Sequence, residues 1–117
     1  MLDFSELEER CFEFARRVKE LIKTCKMTIT NSSIAGQLMD SSGSVGANYI
    51  EANEGLSKKD FSYRVRISKK ESKESRFWLR LLDCEEKHQA EQKSLIQEAT
   101  ELMLIFAGIL RRCNNQD

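Results

Sequence analysis

Nine basic side chains fall within residues 57–80: Lys58, Lys59, Arg64, Arg66, Lys69, Lys70, Lys73, Arg76 and Arg80. Only Asp60, Glu71 and Glu74 oppose them, so the segment carries +6 in a chain whose 19 bases and 19 acids cancel overall. Lys59, Arg66, Lys73 and Arg80 recur every seven residues, which on a helix places them in one row, with Lys69, Lys70 and Arg76 alongside. A row of that length spans roughly 30 Å and can track several phosphates of a nucleic acid. The same pattern also suits a solvated face, or one paired with acidic segments of a neighbouring helix or subunit. Residues 28–56 hold Asp40, Glu51 and Glu54 and no base, and residues 81–100 hold five acids and two bases. Tyr63, Phe77 and Trp78 are the aromatic residues near the row that could stack on bases.

Other chemistries find less support. Asn48, Glu51, Glu71 and Glu74 lie on or near apolar seams and are expected to form a buried polar network that fixes which helix faces which. Carboxylates on facing helices can hold a di-iron centre, but that site needs Glu-x-x-His pairs, and the single histidine, His88, lies far from Glu71 and Glu74. Cys11, Cys25 and Cys113 occupy seam positions and serve as small apolar residues, while Cys84 falls off the seam. No C-x-x-C pair, nucleophile–base pair, phosphate loop or metal-ligand spacing is present. The expectation is a protein without enzymatic activity, metal or cofactor.

The elements that position these residues follow from composition and period. The chain has 117 residues, 40% apolar and 32% charged, with five glycines and no proline. That length suits one domain, 1–117, and the absence of proline favours long helices. Apolar residues recur at steps of four and three in four segments. The first seam is Leu7, Cys11, Phe14, Val18, Leu21 and Cys25, opened by a Ser5-x-x-Glu8 capping box. The second is Ile34, Leu38, Ser41, Val45, Asn48 and Ala52, capped by Asn31 or Ser32. It crosses Ser41–Ala47, a Gly/Ser run that propensity alone reads as a linker but that keeps the seam in register as a helix of small residues. Gly55 suits a left-handed helix exit and Ser57 with Asp60 the next start. The third seam is Phe61, Val65, Ser68, Ser72, Ser75, Leu79 and Leu82; the fourth is Leu95, Ala99, Leu102, Phe106, Ile109 and Cys113. The fold predicted is all-α, an up-down-up-down antiparallel four-helix bundle with helices at about 5–27, 32–53, 58–87 and 92–113.

Apolar residues exceed what one bundle face can hide. Phe77, Trp78, Leu79, Leu81 and Leu82 circle almost the whole third helix, and 102–110 is similarly broad. Phe77, Trp78 and Leu81 are therefore expected to contact another subunit. The apolar run at 102–110 is too short to span a bilayer, and the N-terminus carries acids where a signal peptide needs bases. A cytoplasmic chain without membrane association is expected.

Four blocks stand in order between Ala47 and Leu82: Ala47-Asn48-Tyr49-Ile50-Glu51-Ala52, Ser57-x-x-Asp60-Phe61, Ile67-Ser68-x-Lys70-Glu71-x-x-Glu74, and Trp78-Leu79-x-Leu81-Leu82. Together they resemble the bacterial four-helix-bundle family of 23S rRNA-intervening sequence proteins. The resemblance implies a bundle that assembles into a ring-like homopentamer, and kinship with the accessory protein of diversity-generating retroelements, a basic pentamer that binds nucleic acid and a reverse transcriptase. The present chain differs from that relative in its zero net charge. Two functions follow as expectations: a non-enzymatic homo-oligomeric scaffold or interaction protein, or a nucleic-acid-binding accessory factor acting through the third helix. The corresponding partners are further copies of the chain, and RNA, DNA or a nucleic-acid-processing protein.

Overall fold

The four seams become four helices in the computed structural model, which describes residues 3–115. They are α1 (Phe4–Lys23), α2 (Ile29–Asn53), α3 (Lys58–Leu81) and α4 (Gln89–Asn115), with a single 3₁₀ turn, Glu86–His88, ahead of α4. Leu7, Cys11, Phe14, Val18 and Leu21 are buried from α1, Val65, Ser68, Ser72, Ser75 and Leu79 from α3, and Leu95, Ala99, Leu102 and Phe106 from α4. Each helix packs on the next and α4 returns to α1, giving a bundle 48 Å long and 24 by 20 Å across. The α1–α4 ion pairs show the antiparallel sense directly. Arg10 meets Glu98 and Arg17 meets Glu91, so seven residues forward in α1 is seven back in α4.

α2 runs unbroken through Ser41–Ala47. Its small residues matter most at Gly46, where an added Cβ would lie 3.0 Å from the Cys11 Cβ of α1. Gly36 and Gly43 by contrast have nothing within 4 Å of that position, so they do not mediate packing inside the bundle. The α2–α3 interface is polar at its centre. Ser68 Oγ donates to the Val45 carbonyl at 2.8 Å, and Ser75 Oγ to Ser41 Oγ at 3.0 Å. Tyr49, not Asn48, is the large α2 side chain in the core, its ring 5.6 Å from that of Phe106.

Helix ends depart from the sequence expectation. Asp3, not Ser5, caps α1: its carboxylate accepts from the Glu6 amide at 2.8 Å and from Ser5 Oγ at 3.0 Å. A carboxylate also suits the positive end of the helix dipole better than a hydroxyl. Thr28, not Asn31 or Ser32, caps α2 by accepting from the Asn31 amide. Asn31 is instead buried and bridges two connections. Its Nδ2 donates to the Lys26 and Asp83 carbonyls, and its Oδ1 accepts from the Asp83 amide, at 2.9–3.0 Å. Ser57 does cap α3, through the Asp60 amide. α1 stops at Lys23 rather than 27 because Thr24 Oγ1 donates back to the Leu21 carbonyl. α3 stops at Leu81 rather than 87. There Gln92 Nε2 donates to the Leu79 and Leu82 carbonyls at 2.8 Å, and Leu82 turns extended into the core. α4 correspondingly begins at Gln89 rather than 92. Among the described residues no glycine has positive φ. Gly55 therefore makes no left-handed exit; a Cβ on it would lie 3.0 Å from the Ala52 carbonyl oxygen.

These contacts separate two glycines three residues apart. Gly46→Leu is expected to lower unfolding free energy by about 1–3 kcal/mol through overpacking against Cys11. Gly43→Ala should leave it unchanged or raise it by about 0.5–1 kcal/mol, since open space and a helical backbone favour alanine. Urea denaturation of both variants checks the contrast.

Candidate nucleic-acid interface

The outside of α3 repeats the four-three step of its inside. Lys59, Tyr63, Arg66, Lys70, Lys73, Phe77 and Leu81 follow one another at steps of four, three or four, and all are exposed, as is Arg80. Tyr63 is 56% exposed and Phe77 53%. Bases and aromatic rings thus share one outward stripe instead of occupying separate faces. Arg66, Lys69, Lys70, Lys73 and Glu74 line a shallow depression of about 400 Å³ along it.

The remaining α3 bases flank this stripe. Lys69 and Arg76 are half-buried, and Arg76 Nη1 lies 3.4 Å from Thr100 Oγ1 of α4. Arg64 turns to the α2 side, where it donates to Asn48 Oδ1 at 3.0 Å and its guanidinium sits 5.9 Å from the Tyr63 ring centre. Among the described residues no base of α3 forms an ion pair within the chain.

Glu91, Glu98 and Glu101 of the neighbouring α4 are engaged with α1. Arg10 forks onto Glu98 with two 2.8 Å bonds and reaches Glu101, and Arg17 forks onto Glu91 at 3.0 and 2.8 Å. The Arg17 hydrogen bond holds the Glu91 carboxyl below its ordinary value, and Glu98 raises the Arg10 guanidinium. These charge-assisted forks clamp α1 to α4.

The expected buried polar network takes a different form. Glu51 and Glu74 are exposed, and Asn48 and Glu71 are half-buried. The buried polar side chains are Asn31, Ser41, Ser42, Ser68, Ser72 and Ser75. One helical position of rotation separates a seam serine from an outward carboxylate, so proximity along the chain overstated the burial of the acids. Burial, then the neighbouring Glu74, push the Glu71 carboxyl up. Phe77 and Leu81 are exposed as the apolar surplus implies, but Trp78 is half-buried against the core and stacks edge-on to Phe77, with centroids 5.0 Å apart.

A family model for the 23S rRNA-intervening sequence protein matches residues 5–108. The chain belongs to that family. A crystal structure similar to this 23S rRNA-intervening sequence protein is that of a protein of unknown function from the S23 ribosomal protein family of Bacteroides thetaiotaomicron. The two share 26% identity and a TM-score of 0.74, over 89% of this chain and 97% of the other. The comparison with curated proteins finds no match. Among the described residues no group of three or more His, Cys, Asp and Glu side chains could hold a metal, and no helix is long and apolar enough to cross a membrane. Two sites in this family member were not assigned from its sequence. Tyr63 was legible as an aromatic near the bases, but its place within the stripe needed the helix phase. The Cys25–Cys84 pair joins two connections 59 residues apart, which no local pattern reveals.

The Arg17–Glu91 fork makes a pH prediction. A carboxyl held below its ordinary value contributes stability above about pH 4.5, and that contribution fades as pH falls through the lowered value. Glu91→Gln should therefore lower the melting temperature at neutral pH, by the equivalent of about 0.2–1 kcal/mol for a part-exposed pair. It should also flatten the acid-side decline. Melting curves from neutral to acid pH on both proteins check it.

Proposed function

We propose that this chain is a non-enzymatic interaction protein that works as a homo-oligomer, with the outward face of α3 as its contact surface. The observation that carries this reading is the exposure of Phe77 and Leu81, at 53% and 47%, on the same face and one turn apart. Covering two such side chains contributes about 1.5–3 kcal/mol each. The outer side of α2 has the opposite character: Asp40 and Glu51 are exposed on it and Glu54 just past its end, with no base, and Gly36 and Gly43 are open to close approach. Opposite charge on two different faces of one chain suits a head-to-tail contact, which closes into a ring when the rotation allows. A ring of five is carried over from the family resemblance; the surface itself argues for association.

A second reading, a nucleic-acid-binding accessory factor, is favoured by the absence of any intrachain ion pair at the α3 bases among the described residues, with Tyr63 and Phe77 interleaved between them. Candidate partners are then RNA, DNA or a protein that processes them. Phosphates would meet Lys59, Arg66, Lys70, Lys73 and Arg80, and bases would stack on the rings.

Light scattering at micromolar concentration tests the first reading. A mass several times 13.6 kDa is expected, reduced toward the monomer by Phe77→Glu or Leu81→Glu. A wild-type monomer would end the reading. Trp78 is unsuitable for this substitution because it packs on the core. For the second reading, binding of a labelled single-stranded RNA should weaken steeply with salt, losing about 0.7 in the log–log slope per phosphate contact removed. Arg66→Glu and Lys73→Glu should weaken it further. Affinity indifferent to salt and to both reversals would exclude the stripe as the binding surface.

A further inference from the structure

Cys25 lies just beyond α1 and Cys84 in the connection between α3 and α4, and their sulfurs are 3.9 Å apart. Both are half-buried at the edge of the core, unlike Cys11, which is fully buried. The Asn31 amide fixes their neighbours. It bonds the carbonyl of Lys26, one residue after Cys25, and both the carbonyl and the amide of Asp83, one residue before Cys84. One buried side chain thus holds the two connections in register at the point where the thiols meet. Neither cysteine is within a helix, so closing the sulfurs from 3.9 Å to the bonded distance of about 2.05 Å draws on two connections and their side chains.

We propose that Cys25 and Cys84 form an oxidative modification site, a dithiol that exchanges with a low-molecular-weight disulfide to give an intramolecular crosslink. In the first step the Cys25 thiolate attacks one sulfur of the disulfide. A Cys25 mixed disulfide forms, and one small thiol leaves with the proton that Cys25 gave up. In the second step Cys84 loses its proton, attacks the Cys25 sulfur and releases the second small thiol. Two protein thiols are oxidised and one small disulfide is reduced to two thiols, so atoms and electrons balance. Burial, then the adjoining Cys25 and Asp83, push the Cys84 thiol up to about 12 in the reduced pair, which disfavours it as the first attacker; the charge on Cys25 no longer opposes its ionisation once Cys25 is in the mixed disulfide. The product ties the α1–α2 hairpin to the α3–α4 hairpin across 59 residues of sequence, a long loop of the kind whose closure restricts the unfolded chain most.

The full-length protein, without denaturant, is incubated with excess oxidised glutathione, and its intact mass and non-reduced peptide map are recorded. The expected product is about 2 Da lighter than the reduced chain, contains a Cys25–Cys84 linked peptide, melts at a higher temperature, and returns to the starting mass and melting temperature with a reductant. Cys84→Ser should stop at a glutathione adduct on Cys25, and Cys113→Ser should leave the crosslink unchanged. Circular dichroism of each variant confirms that it is folded. A crosslink through Cys113 or between chains overturns the proposal, as does glutathione retained on both cysteines or thiols that persist in the folded wild type.

Discussion

Ser68 reaches across from α3 to the Val45 carbonyl, and Ser75 to Ser41, with no bulky side chain between the two helices at these points. A hydroxyl bonded at 2.8 Å to the backbone of another helix sets how near the two axes must lie. Ser41, Ser42, Ser68, Ser72 and Ser75 are all buried, and the hydrogen bond that each hydroxyl donates offsets its desolvation. So close an approach leaves no room for long residues on the inner face of central α3. The inner face is therefore serine, and Arg66, Lys70 and Lys73 must point outward. The polarity of the core interface and the charge of the outer face are two consequences of one packing constraint.

Much of this bundle was legible because the apolar seams have a single period. Leu7 through Leu21, Val65 through Leu79 and Leu95 through Phe106 are buried where the four-three steps place them. Phase finer than one position was not legible. Asn48 and Tyr49 are adjacent, and the broad inward face of α2 takes the tyrosine while leaving the asparagine half-buried beside Arg64. Glu51 and Glu74 failed as buried residues for the same reason. Helix ends depended on contacts between distant segments. Asn31 and Thr28 are both good caps, and the Asp83 backbone decides between them by drawing Asn31 inward. Gln92 ends α3 from a helix that sequence order places later. Of the candidate site, the basic row was visible from spacing alone, but its lack of intrachain partners depends on where α4 turns its acids.

That orientation is set by α1. Arg10 and Arg17 stand seven residues apart, as do Glu98 and Glu91, and antiparallel packing brings both pairs together at once. Glu98 is only 17% exposed at its side chain, so its charge needs the bidentate partner it has. A ladder of two forks also fixes the rotation of α4 about its own axis, turning these acids from α3. Thr100 is what Arg76 meets on that side.

The outer face of α1 shows what a solvated charged face looks like in the same molecule. Arg16 pairs with Glu13, and both Lys19 and Lys23 lie within 4.0 Å of Glu20, so its bases are neutralised locally by acids on the same helix. α3 has acids available for the same arrangement but does not use them. Glu71 is half-buried and Glu74 lies beside the basic depression, and neither forms an ion pair among the described residues. Self-repulsion along an unneutralised row raises the free energy of the isolated chain, and rings exposed between the bases add unfavourable apolar hydration. Both penalties fall when an anionic or acidic, partly apolar surface covers α3, and neither falls in water alone. The contrast between α1 and α3 is the physical reason to treat the α3 face as a contact surface rather than a solubilising one.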